Sequence, residues 1–322
     1  MKFIVIGGSG FVGQHIAAEL AERGQEAVIC DIAAPASPGI GSFVRTDVTD
    51  WASVRALPLE EDDFVIHLAA NQYHGRVPRR NRQAYFAHTN VRGTANILQV
   101  MEQRRATRMI YFSTDMVYGR PSYLPIDTEH PKLPFGPYGE SKRESELLCS
   151  RYRDKGAHIT VFRPRMIIGP GRLGVLKKLF KLIEAGLPVP LIGSGANHYQ
   201  MIAVADCVQA VMRAIDLDCP NEAYNLGSKN PPTVRELLGS LIDRVNSRSR
   251  LIPTPGPAVK AVLSGLSAAG VELLYKEQYM IADENYLVDI SKTERQLGWS
   301  PLYSDDDMLM ASYSSYKLAE AR

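Results

Sequence analysis

Apolar positions along the chain follow two periods, and the alternation between them predicts the elements. Lys2 to Ile6 is a short apolar run that stops at Gly7-Gly8, the pattern of a strand buried on both faces. From Phe11 to Arg23 the apolar residues recur at helical spacing, and Gly24 supplies a natural C-cap. Ala27 to Cys30 is a second strand, closed by Asp31. Phe64 to His67, Met109 to Phe112 and Ile159 to Phe162 repeat the strand pattern. A long helix over 82–104 and another from Tyr138 to about Asp154 lie between them. Strands that alternate with helices form a parallel sheet with helices on both faces, so the chain is expected to be a doubly wound α/β protein. Past about residue 170 the pattern loosens, with a strand-like piece at Ala223–Leu226 and a helix at Val234–Val245.

Composition narrows this picture only a little. The 322 residues are 45% apolar and 22% charged, enough to bury a large core and unlike a disordered chain. A formal net charge of +2 argues against a dedicated nucleic-acid or polyanion binder. Cys30, Cys149, Cys207 and Cys219 are scattered and make no CxxC, so they read as free thiols of a cytoplasmic protein. The apolar start MKFIVI runs into glycines after a few residues and is not read as a signal peptide. The stretch 257–275 is weakly polar, but Lys260 and Glu272 interrupt it. No membrane span is expected, and the segment reads as packing within a small C-terminal domain or as a lid.

The first strand–helix junction carries GGSGFVG at 7–13. There Gly7 makes a tight turn, Gly10 lets backbone approach a pyrophosphate, and Gly13 lets helix and strand pack closely. The N–H groups of Phe11 and Val12 open the helix toward the phosphates. Asp31 ends the second strand 18 residues after Gly13, placed to accept from ribose hydroxyls and to repel a 2′-phosphate. No arginine or lysine lies between Gly24 and Val44. NAD is therefore the expected cofactor on a Rossmann-type fold. The expected division is a dinucleotide-binding domain over 1–170 and a mostly substrate-binding domain over 171–322, some of whose segments return to the main sheet.

Tyr138 and Lys142 stand four apart on a predicted helix and so share a face. A phenol titrates near ~10, and a neighbouring ammonium is expected to lower that value. Such a tyrosine takes a hydroxyl proton while hydride leaves for a nicotinamide. The spacing by itself says little, because Tyr313 and Lys317 match it too. Context separates the pairs. Tyr138 follows Ser113-Thr114, which end a strand at the sheet edge where ligands bind, and Tyr313 has no such partner. Thr114 is expected to orient the reacting oxygen, with Ser113 as its substitute. His67, His74 and His88 lack ligand spacing, so no metal is expected, and His67 reads as a packed strand residue.

Together these residues resemble the extended short-chain dehydrogenase/reductase family, the NAD-dependent epimerases and dehydratases that include nucleotide-sugar epimerases. The resemblance runs through GGSGFVG, Asp31, Asp47-Val48, HLAA at 67–70, NVRGTAN at 90–96, FSTDMVYG at 112–119, YGESK at 138–142, RPRMIIGPG at 163–171 and VDISKTERQLGW at 288–299. It implies Asp47 and Val48 near adenine, and Leu68, Ala69 and Ala70 along the cofactor. It implies Thr114, Tyr138 and Lys142 as the catalytic trio, and a homodimer built on the helices near 82–104 and 138–154. In the dehydratase pattern Asp115 matches the acid, whereas Met116 replaces the glutamate base and cannot remove a proton. Met166 stands where many nucleotide-sugar members carry asparagine. The segment around His198 lacks their arginine, a diphosphate clamp. Arg76, Arg79, Arg80 and Arg82 cluster near the substrate entrance that the resemblance implies. They read either as receivers of an anionic substrate or as a solvated helix start. The expected function is an NAD-dependent epimerase of a nucleotide-sugar-like substrate. The alternatives are a dehydrogenase or ketoreductase of a steroid-like, lipid or other secondary alcohol, and a non-catalytic NAD-sensing protein.

Overall fold

The structure is a computed structural model that describes residues 1–36, 39–73, 77–174 and 176–320. Eleven strands are found among these residues: β1 (Phe3–Ile6), β2 (Ala27–Asp31), β3 (Ser42–Arg45), β4 (Phe64–His67), β5 (Arg108–Phe112), β6 (His158–Pro164), β7 (Met166–Ile168), β8 (Val189–Ile192), β9 (Met201–Ala203), β10 (Ala223–Leu226) and β11 (Leu251–Thr254). Seven of them build one parallel sheet in the order β3-β2-β1-β4-β5-β6-β10. The order reverses at β1, so the carboxyl ends of β1 and β4 diverge into a crevice, the usual place for a ligand in such a sheet. β10 is the piece of the later chain that returns to the sheet.

The helices are α1 (Phe11–Glu22), α2 (Trp51–Arg55), α3 (Arg82–Phe86), α4 (Gly93–Arg104), α5 (Pro137–Arg153), α6 (Leu176–Glu184), α7 (Val204–Asp216), α8 (Val234–Arg244), α9 (Gly256–Ala268), α10 (Lys276–Tyr279), α11 (Ser291–Leu297) and α12 (Asp305–Glu320). One face of the sheet packs Val12, Ile16 and Leu20 of α1 against Cys207, Val211 and Trp299. The other face packs Val54, Ile97, Met101 and Cys149 of α2, α4 and α5. A separate core joins α6, α8 and α12 beyond the sheet. Tyr313 belongs there, stacked edge-on to Phe180 at 5.2 Å, so the second Tyr-x-x-x-Lys pair is a packing element.

One sequence expectation is corrected, and one strand was not expected. The helix over 82–104 is not one regular helix: Ala87–Arg92 form a π turn between α3 and α4. The wider turn lets buried Asn90 reach sideways, where its Oδ1 accepts from the Asn71 N–H at 2.7 Å and its Nδ2 donates to Ser141 Oγ at 2.9 Å. β3 is an edge strand of largely exposed residues, Ser-Phe-Val-Arg, and so carries no continuous apolar run to betray it.

Candidate active site

The β1–α1 loop fits a diphosphate. Gly7 has φ +82°, and a Cβ there would meet Ala69 N at 2.6 Å. A Cβ at Gly13 would meet Gly8 Cα at 2.6 Å, so only glycine lets α1 close on the loop. At Gly10 the added atom would meet only Gly7 O, at 3.1 Å, which leaves its outer side open. Gly10 is the N-cap of α1, and no side chain caps the helix, so the first-turn N–H groups, including those of Phe11 and Val12, are presented toward that open side. Asp31 is tied to this loop: its Oδ2 accepts from Ser9 N–H at 3.1 Å. β3 also sets Arg45 beside Asp31 in register, a cation one residue beyond the Gly24–Val44 stretch that holds none.

Asp47 is exposed and folds back on its own chain, where Oδ1 accepts from the backbone and hydroxyl of Thr49 and is held below the usual carboxylate range by them. Val48 is buried under α4, where a Cβ at Gly93 would meet its Cγ2 at 2.7 Å. Leu68, Ala69 and Ala70 leave β4 across from Gly7, so the two loops flank one cleft.

α5 begins with Pro137 at its first turn and buries Tyr138 and Lys142 on one face, as the four-residue spacing requires. The helix is pinned by Ser141 and Ser145, which bond Asn90 on the π turn. Thr114, at the end of β5, lies against the Tyr138 phenol and donates to Asp115 Oδ1 at 3.0 Å. Ser113 faces the other way, beside the Glu146 carboxylate. Thr114 rather than Ser113 therefore meets Tyr138.

The expected lowering of Tyr138 by Lys142 is not found in this arrangement. Burial is the largest influence on the phenol and raises it, and the cation that pulls it down is Arg172. Lys142 Nζ sits instead 4.2 Å over the Tyr111 ring and makes no hydrogen bond among the described residues. Its burial depresses the ammonium to about 7. A buried ammonium that forms no ion pair among the described residues is a place for ligand hydroxyls. His67 next to it is fully buried, held neutral by burial with its value down to about 3, and bonded to Thr94 at 3.0 Å.

Several candidates are already committed to protein partners. Asp115 is ion-paired with Arg165, whose guanidinium lies 4.3 Å from the Tyr286 ring and 5.0 Å from the Tyr199 ring. Met166 receives the Tyr199 hydroxyl at 3.7 Å, so a tyrosine and a thioether stand together on this wall. His198 bonds the Pro231 carbonyl at 2.8 Å and does not join the Tyr138 cluster. Arg79 donates to the Gly270 carbonyl at 2.6 Å, and Arg82 pairs with Glu272 at 2.5 Å, which corrects the reading of these two as open anion receivers. Arg80 is exposed, and the expectations for Arg76 and His74 lie outside the described residues.

What the sequence reading missed comes from the far end of the chain. The segment carrying α9 and α10 folds over the site. Tyr275 stacks on Tyr73 at 4.2 Å, and Tyr73 packs edge-on to Tyr138 at 5.8 Å. Tyr73 donates to Glu277 at 2.5 Å. Glu277, Met116, Phe135, Gly136, Ile281 and Tyr286 line a small cavity at the start of α5. No sequence spacing links Glu277 to Tyr138, so only the fold reveals the pair.

Among the described residues no group of three or more His, Cys, Asp or Glu side chains is placed to hold a metal ion, and no helix is long and apolar enough to cross a membrane.

Comparison with known proteins places this site in context. The profile of the NAD dependent epimerase/dehydratase family matches residues 3–227. An uncharacterized protein of Sinorhizobium fredii is 30% identical over 99% of this chain and 79% of its own length. A dTDP-glucose 4,6-dehydratase of Streptomyces antibioticus is 30% identical over 76% of this chain and 77% of its own length. The solved UDP-glucose 4-epimerase of Thermotoga maritima, crystallised with UDP-glucose, superposes with a TM-score of 0.81 over 99% of this chain and 100% of that one, at 22% identity.

Proposed function

The chain belongs to the NAD dependent epimerase/dehydratase family, and on that premise we propose that it is an NAD-dependent epimerase of a nucleotide-sugar-like substrate, working by transient hydride transfer. The observation that carries this over dehydration is the state of Asp115 and Met116. The carboxylate is bound to Arg165 and the thioether takes no proton, so neither residue of that pair serves an elimination. Tyr138 with Thr114 remains, a constellation suited to moving a hydroxyl proton.

In this reading Gly7, Gly10, Phe11, Val12 and Gly13 hold the diphosphate, Asp31 the adenosine ribose, and Asp47 and Val48 flank adenine. Leu68, Ala69 and Ala70 run beside the cofactor. Lys142 holds the nicotinamide-side ribose with its otherwise unpaired ammonium. NAD, when bound, supplies the hydride acceptor and donor. Tyr138 takes the substrate hydroxyl proton, and Thr114 fixes the oxygen that loses it. Arg172 offsets the charge that develops on the phenol. Tyr138 would return its proton to that oxygen as the rotated ketone is reduced from its other face, which completes the inversion. We further infer a division at about residue 170, with 171–322 forming most of the substrate side. We also infer a cytoplasmic homodimer through α4 and α5, whose outer surface includes half-exposed Leu147.

Met116, Met166 and Tyr199 give the substrate wall an apolar character, which favours a second reading, a net dehydrogenase of a secondary alcohol. One experiment separates them. The purified protein is denatured and its released cofactor assayed, and the native protein is then incubated with nucleotide sugars without added NAD. Stoichiometric NAD with formation of an isomer supports the epimerase. An empty protein that reduces added NAD only with an alcohol supports the dehydrogenase. Binding of NAD with no turnover of either class marks an NAD sensor.

A further inference from the structure

The buried carboxylates of this protein fall into two kinds. Glu146 is held by Arg163 and Lys132, and Asp115 by Arg165. Glu277 is 4% exposed yet has no ion pair among the described residues. Its Oε1 accepts from the Tyr73 hydroxyl, and its Oε2 has no partner among the described residues. That unpartnered oxygen belongs to a side chain that lines a small cavity with Met116 and Tyr286, and whose charge acts on Tyr138 from beside the Tyr138 backbone.

We propose that Glu277 is a proton-transfer group of this site, taking and returning a proton at the substrate carbon adjacent to the one oxidised to a ketone. The proposal rests on the reading of a ketone intermediate given above. Once that ketone exists, the neighbouring C–H bond breaks toward the Glu277 carboxylate. The proton forms an O–H bond on Glu277, and the electron pair moves into the enolate. Return of the proton restores the C–H bond. No reagent beyond NAD is consumed in this step.

The placement supports it. Gly136, the N-cap of α5, has no side chain, and a Cβ there would overlap the Glu277 carboxylate. Only glycine lets α10 approach so close to the start of the helix that bears Tyr138. Met116 lines the same cavity, so the carboxyl arrives from α10 at a wall where the turn after β5 offers only a thioether. The groups that face Glu277 are Tyr73, Tyr138, Glu140 and Arg82. Burial outweighs them and pushes the carboxyl up to about 7, so both its acid and its base forms are populated near neutral pH.

The test uses the full chain with its NAD content measured, as wild type and as Glu277→Gln, which keeps an acceptor oxygen for Tyr73. Both are incubated in D2O with UDP-glucose, UDP-glucuronate and dTDP-glucose. Recovered sugars are examined by mass spectrometry and proton NMR, and NADH formation is followed by absorbance. Wild type is expected to place deuterium on the carbon next to the oxidised one. In the variant, deuterium gained per NADH formed should fall by about 100-fold. An infrared band of a protonated carboxyl that titrates near pH 7 should be present in wild type and absent in the variant. Turnover without deuterium in wild type, an unchanged exchange ratio in the variant, or absence of the titrating band overturns the assignment and leaves the epimerase reading standing. No turnover of any of the three sugars by NAD-loaded wild type brings down both.

Discussion

Tyr138 and Lys142 share one helical face yet sit in different surroundings, and their substitutions should separate accordingly. Removing the phenol hydroxyl in Tyr138→Phe takes away proton transfer and little else. Turnover should fall by roughly 10²–10⁴-fold, with released NAD per chain unchanged. Burial of Lys142 outweighs the pull of Glu146 and disfavours its ammonium, so it is retained against stability. Its folded value, about 7, lies below the ordinary 10.5. Stability is therefore unimpaired above 10.5 and is lost as pH falls toward 7. Lys142→Met should therefore stabilise the cofactor-free protein and abolish turnover. The gain should be larger at pH 6 than at pH 9, by on the order of 2–3 kcal/mol, as read from thermal unfolding at the two pH values.

Two elements decide where these side chains point. The β1–α1 loop works because Gly13 carries no Cβ against Gly8, so Gly13→Ala should push α1 away from the loop. At least ten-fold weaker NAD binding is expected by calorimetry on cofactor-stripped protein, with secondary structure by circular dichroism retained. α5 is fixed by Asn90, which reaches it only because Ala87–Arg92 form a π turn. The residues of NVRGTAN are plain in the sequence. The change of helical pitch is not, since a π turn keeps the apolar spacing of the surrounding helix nearly intact. β3 was equally hidden, because an edge strand with exposed side chains has no apolar signature.

At the scale of the whole molecule, the C-terminal chain closes over the sheet edge. Arg82 joins the two parts: it pairs with Glu272 and lies 5.6 Å from the Tyr275 ring. Arg82→Ala should loosen residues 256–283 from Tyr73 without unfolding the sheet. Limited proteolysis should then cut this segment several-fold faster than in wild type, while the sheet amides keep their hydrogen-exchange protection.

The sequence by itself determined the parallel sheet, the glycine loop with Asp31 beside it, and the helix bearing Tyr138 and Lys142. These are local patterns, in which period, turn chemistry and spacing act within a few residues of one another. It also separated Tyr138 from Tyr313 by what precedes each. Tertiary structure alone decided what those residues face. Arg165 captures Asp115, Arg79 and Arg82 are spent on the covering segment, Arg172 rather than Lys142 lowers Tyr138, and Glu277 stands at the start of the helix that bears Tyr138. Each of these depends on groups far apart in the chain, and a buried charge is set by what surrounds it in space.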